Sequence, residues 1–145
     1  IAKQMFGTIP IIYTTDRMES VAVRLRQQIC ENAKMLCWHH VIPEMNHNEL
    51  VGWKDPDKRV SVLFLRNKDD YPRNAIRMDI NSKIIGNLCD TVLETYSKGQ
   101  SLIEKNMYFV HLGDWISWFL SDMRGVDSIE IDVIDYLKGE LAKIN

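Results

Sequence analysis

Glu31, His47 and the polar residues around them are the side chains of this chain best suited to moving a proton. Glu31-Asn32-Ala33-Lys34 is followed, after one short apolar run, by Pro43-Glu44-Met45-Asn46-His47-Asn48-Glu49-Leu50-Val51-Gly52-Trp53. An imidazole exchanges protons near neutral pH. A carboxylate in a partly dry pocket gains basicity through desolvation. Flanking amides can orient the imidazole and hold the hydroxyls of a sugar. Such a set suits general acid–base work on a polar small molecule.

Each of these residues also has an ordinary structural reading. A glutamate near a helix end is commonly solvated, and on the residues alone that reading is favoured for Glu31. Asn46, with Glu49 three residues on, has the spacing of a capping box. A capped helix is also a rigid mount for His47, so both readings stand together. His39 and His40 are neighbours and would point to opposite faces of a strand, which argues against a metal held by the pair. His111 falls inside a long apolar helix and reads as a core histidine. Lys138, on the last helix, reads as a surface cation. Trp53, Trp115 and Trp118 read as core rather than as a stacking platform. The chain has no phosphate-binding glycine loop, no nucleophile elbow and no HExxH motif, so nucleotide, hydride and catalytic-zinc chemistry lose ground.

The elements that must position these groups follow from apolar periodicity. Ile9 to Tyr13 is a β-branched apolar run and reads as a buried strand, closed by the cap-type residues Thr14-Thr15-Asp16. Glu19 to Lys34 turns helical, with Val21, Leu25, Ile29 and Cys30 on one stripe. Leu36 to Ile42 is a second strand stopped by Pro43. Asn46 to Trp53 is a short helix or turn, and Lys54 to Arg59 a charged loop containing Pro56. Val60 to Leu65 is the clearest strand. Pro72 opens a helix reaching about Leu88, and Thr91 to Tyr96 is a fourth strand. Ser101 starts a long helix ended by Gly125, apolar around most of its circumference and therefore expected to be buried on more than one side. Asp127 opens the last helix. Strands and helices that alternate in this way, with near-continuous apolar strands, predict an α/β fold: a mainly parallel sheet covered by helices on both faces. In such sheets ligands bind beyond the carboxyl ends of the strands. By this reading His47 lies there, past the second strand, and Glu31 does not.

Bulk properties narrow the classes. The chain has 145 residues, 46% hydrophobic, with a net charge of −2; this suits one domain with one core. There is no dense basic block, so neither nucleic acid nor an anionic membrane is the expected partner. No apolar run is long enough to span a bilayer, and no secretory signal opens the chain. Three cysteines without CxxC spacing fit a reduced, cytoplasmic protein. The chain opens abruptly at Ile1, close to a strand, as a piece of a longer protein would; ordinary processing gives the same start.

Taken together, Gln28 to Lys34 and Pro43 to Trp53 closely resemble the C-terminal half of the bifunctional phosphoglucose/phosphomannose isomerases, which consist of two tandem sugar isomerase (SIS) domains. Tyr71-Pro72-Arg73-Asn74, Leu112-Gly113-Asp114-Trp115 and Arg124-Gly125-Val126-Asp127 extend the resemblance over nearly the whole chain. The resemblance implies a three-layer α/β/α sandwich and aldose–ketose isomerisation of hexose 6-phosphates through a cis-enediol. It implies that Glu31 is the base moving a proton between C1 and C2. His47 would be the ring-opening histidine, delivered to the site of a neighbouring subunit in a homodimer, and Lys138 would assist ring opening. No metal or organic cofactor is implied. The 16-residue separation of Glu31 and His47 agrees with those roles.

Two departures bear on that expectation. Cys30 stands where the family commonly has Asn. The N-terminal SIS domain, which in the family supplies phosphate-binding loops and an arginine near the enediolate, has no counterpart among these residues, so the 145 residues alone are expected to be inactive. A rival reading is a non-catalytic sugar-phosphate-sensing SIS module, which would need no base opposite the sugar carbon. A plainer one is a dimerisation domain with a degenerate site. Preference for glucose or mannose 6-phosphate is not legible in the residues.

Overall fold

The computed structural model describes residues 1–55 and 58–144. Pro56, in the expected charged loop, lies outside them. A short N-terminal helix α1 (Ala2–Met5) leads into β1 (Ile9–Thr15), then α2 (Glu19–Ala33), β2 (Trp38–Ile42), α3 (Glu49–Gly52), β3 (Val60–Arg66), α4 (Pro72–Gly86), β4 (Val92–Tyr96), α5 (Leu102–Arg124) and α6 (Asp132–Leu141). The four strands form one parallel sheet in the order β2-β1-β3-β4. The expected α/β sandwich is therefore present.

Alternation along the strands builds two cores, because successive side chains leave opposite faces. Ile12, Leu63 and Leu65 face one way and pack with α1, α2 and α5 through Met5, Leu25, Ile29, Phe109 and Ile116. Ile11, Tyr13, Val62 and Phe64 face the other way and meet Met78 and Ile85 of α4, with Met45 and Trp53. Every residue of β3 is buried, as its unbroken apolar run demands. Its last residue, Arg66, is compensated by Asp79 of α4 at 2.6 Å and Glu94 of β4 at 2.7 Å, so the guanidinium ties helix and edge strand together.

Several sequence expectations need correction. The stripe of α2 buries Val21, Leu25 and Ile29 but leaves Cys30 exposed. Helix α5 buries one side only: Phe109, Gly113, Ile116 and Leu120 face α2 and the sheet. Trp115 and Trp118 are 49% and 47% exposed and pack in edge-on and tilted contacts with each other and with Phe119 on the outer side. His111, expected in the core, is exposed on that side and receives the Trp115 indole N–H at 3.2 Å. One packed layer covers only one stripe of a helix, here the stripe that meets α2. Asp127 does not open α6. Its carboxylate accepts the Ile129 N–H at 2.9 Å in a turn, and the helix starts at Asp132. The expected end of α5 at Gly125 holds; its φ of 64° is the left-handed value that favours glycine.

Candidate active site

Glu31 occupies the last turn of α2, and that helix is fastened to α5 on two levels. Gln28 donates to the Asp114 carboxylate, which also accepts from Arg24 at 3.2 Å. Asn32 Nδ2 donates to Ser117 Oγ at 2.9 Å. The helices approach closely at Gly113, where an added Cβ would lie 3.2 Å from Leu25 Cδ1. This is what the Leu112-Gly113-Asp114-Trp115 motif does physically: glycine admits the contact and aspartate bridges it.

The Glu31 residue is exposed and stands between two recesses. One, of about 480 Å³, is shared with Lys34, Leu36, Glu130, Val133 and Ile134. The other, of about 430 Å³, is shared with Arg26, Gln27 and Cys37. Burial pushes the Cys37 thiol well up, so it is a poor nucleophile there. The first turn of α6 thus closes one side of the Glu31 cleft. Lys138 does not line it. It stands one turn beyond Ile134 on the same helix face, 66% exposed and 3.6 Å from Asp135.

His47 sits beyond the carboxyl end of β2, exposed, on a turn anchored by Met45, which is fully buried between the sheet and α4. The Ile42–Pro43 peptide at the start of that turn is cis. The expected Asn46/Glu49 capping box does not form. Asn46 Nδ2 donates instead to Asn81 Oδ1 of α4 at 2.5 Å. Asn48 is the cap of α3, accepting the Glu49 N–H at 2.6 Å. The Glu49 carboxylate is taken by the Tyr13 hydroxyl and by Trp38 Nε1 at 3.3 Å, while Trp53 Nε1 donates to the Tyr13 oxygen at 3.0 Å. Burial, then Glu49, drives the Tyr13 phenol far above its ordinary value, so it stays a donor. Trp53 is the one tryptophan of the three expected in the core that is there.

Glu31 and His47 do not meet within one chain. Helix α2 ends beside the start of β2, and His47 follows its far end, so about 13 Å of strand separates the two edges.

The strand order reverses between β1 and β3, where an open α/β sheet presents its crevice. In this chain acidic side chains occupy that crevice. Asp70 accepts from Thr15 Oγ1 at 2.9 Å and from the Asn67 N–H at 3.2 Å. Asp69 pairs with Lys105, and its carbonyl accepts from Arg17 at 3.2 Å. Burial raises the Asp70 carboxyl above the ordinary aspartate range, against the lowering effect of those two hydrogen bonds. Two donors an anion would use, the Thr15 hydroxyl and the Asn67 backbone N–H, already hold a carboxylate, while Asn67 Nδ2 is buried without a partner. Among the described residues no group of three or more His, Cys, Asp or Glu could hold a metal ion, and no helix is long and apolar enough to cross a membrane.

Sequence reasoning named Glu31, His47 and Lys138. It did not single out Tyr13, Asn81 or Glu130, each of which acts on a partner 35 or more residues away; no local spacing marks such pairs.

Comparison with known proteins agrees with this architecture. The chain is 35% identical over 145 residues to the bifunctional phosphoglucose/phosphomannose isomerase of Aquifex aeolicus, covering 99% of this chain and 45% of that protein. It is 37% identical over 146 residues to the enzyme of the same name from Caldicellulosiruptor bescii, covering 97% and 43%. It therefore spans less than half the length of these relatives. The crystal structure of a glucose-6-phosphate isomerase like protein from Thermus thermophilus superposes with a TM-score of 0.71 at 18% identity, over 88% of this chain and 41% of that one, a likeness of fold. Residues 1–141 match the family model, and the chain belongs to the family of the bacterial phospho-glucose isomerase C-terminal SIS domain.

Proposed function

We propose that this chain is the C-terminal SIS domain of a two-domain, cytoplasmic, homodimeric aldose–ketose isomerase of carbohydrate metabolism. The enzyme interconverts glucose 6-phosphate or mannose 6-phosphate with fructose 6-phosphate. Glu31 removes a proton from C2 of the opened aldose and returns it to C1 through a cis-enediol, so no net redox change occurs and no external oxidant is needed. His47 of a second copy opens the ring, and Lys138 assists. Each positioned proton-transfer group is worth about 10²–10⁴-fold in rate.

The observation that carries this reading is the placement of Glu31 and His47 at opposite ends of β2. A base and a ring-opening imidazole that act on one sugar must then come from two copies. The acidic crevice at the strand-order reversal supports the second half of the proposal. Asp69 and Asp70 would meet a phosphate with negative charge, so the phosphate is held by the N-terminal SIS domain and the 145 residues alone are inactive. It also disfavours a sensing module that captures sugar phosphate at this crevice.

Mixing separately inactive Glu31→Gln and His47→Ala variants of the full-length protein tests both points. Random reassortment of subunits places one intact Glu31–His47 pair in half of the dimers and restores about a quarter of the wild-type rate. Absence of any recovery after subunit exchange would refute the shared site. Retained C2 proton exchange in Glu31→Gln would refute the base.

A further inference from the structure

We propose that Lys34 is a positioning residue that latches the C-terminal helix onto the Glu31 cleft; the catalytic part of this inference rests on the function proposed above. Lys34 follows α2 with a φ of 55° and is the only non-glycine residue with positive φ among the described residues. That position usually falls to glycine, because a Cβ there crowds the backbone. A lysine held in it points to a task for the side chain. The ammonium reaches both halves of the cleft: it donates to the Glu31 carbonyl at 2.7 Å and to the Glu130 carbonyl at 2.5 Å, and lies 3.9 Å from Glu130 Oε2.

Glu130 in turn governs the start of α6. Its Oε1 accepts the Asp132 N–H at 2.5 Å, at a helix end with no other side-chain cap. A continuous path therefore runs from the turn bearing Glu31, through the Lys34 ammonium, to the cap of the helix bearing Lys138. Little else holds that helix. No residue of α6 is buried, and its contribution to the cleft is made through Val133 and Ile134. With so little apolar area removed from water, a charge-assisted clamp is the dominant tether.

The test separates backbone from ammonium. Lys34→Gly keeps the left-handed turn and deletes the clamp; Lys34→Arg keeps a cation of similar reach. In Lys34→Gly, hydrogen exchange of the α6 amides should accelerate by about tenfold or more while α2 stays protected and the melting temperature holds or rises. Lys34→Arg should restore α6 protection. In the full-length protein, Lys34→Gly should lower kcat for the closed-ring substrate by about tenfold with little change in KM, again rescued by arginine. Unchanged α6 exchange in Lys34→Gly would overturn the latch, and this readout needs no enzymatic activity. Faster α6 exchange with unaltered kcat and KM would overturn the positioning role. Failure of the Glu31→Gln test, by contrast, would strike the proposed function and leave the exchange result intact.

Discussion

The hydroxyl of Tyr13, in the middle of β1, donates to the carboxylate of Glu49, two residues beyond His47. The central strand thus holds the turn that presents the imidazole, and the Trp53 indole completes the network at 3.0 Å. Tyr13→Phe keeps the ring contact with Phe64 and removes only the oxygen. It leaves a buried indole N–H unpartnered and deprives the carboxylate of a donor, so it should cost about 1–3 kcal/mol. Denaturant unfolding should show a lower midpoint at unchanged slope, and the amides of α3 should exchange faster than those of α2. A midpoint equal to that of the wild type would show that the network contributes no net stability.

The α2–α5 contact depends on the missing side chain of Gly113. Alanine there would press on Leu25 Cδ1 at 3.2 Å. A branched residue has nowhere to go, because Gln28 and Leu25 line that surface. Gly113→Val should destabilise the fold by about 1–3 kcal/mol through overpacking. Leu25→Ala in the same chain should recover part of the loss, which a double-mutant cycle measures. Strictly additive losses would place the clash elsewhere.

Helix α5 begins with a reciprocal cap whose strength depends on pH. Glu104 accepts the N–H groups of Ser101 at 2.8 Å and Gln100 at 2.7 Å, while Ser101 Oγ accepts the Glu104 N–H at 3.3 Å. The Ser101 backbone bond, followed by that of Gln100, lowers the carboxyl below the ordinary glutamate value of 4.5. A carboxyl with a depressed folded-state pKa stabilises the fold above its unfolded value. That contribution disappears as the pH falls from there through the folded pKa. Glu104→Gln should therefore lower the melting temperature at neutral pH, and the gap from wild type should close as the pH falls through the depressed pKa of the folded carboxyl. A gap that stays constant with pH would exclude the carboxylate as its source. Ser101→Ala should cost about 1 kcal/mol at neutral pH.

What could be read along the chain is what neighbouring residues settle between themselves. The unbroken apolar run of β3, the glycine closing α5 and the proline opening α4 are local signals, and each appears in the fold where its chemistry requires it. Family resemblance, carried by Glu31 and the Asn-His-Asn-Glu block, was legible because residue types and spacing survive without coordinates. Misreadings fell where a residue's surroundings come from distant parts of the chain. Trp115, Trp118 and His111 belong to a helix with apolar residues on most sides, yet only the stripe that meets α2 and the sheet is covered. Asn46 has the spacing of a cap and spends its amide on Asn81 instead, since α4 folds back over it.

Tertiary structure alone decided which groups share a cleft. A parallel strand runs the length of the sheet between the end of α2 and the turn after β2, so Glu31 and His47, close in sequence, are carried to opposite edges. Lys34 and Glu130, 96 residues apart, are brought into contact because the chain returns after α5 to the amino edge of β2. Short-range preference sets the elements; hydrogen bonds and burial between elements, which depend on the whole path of the backbone, set the site.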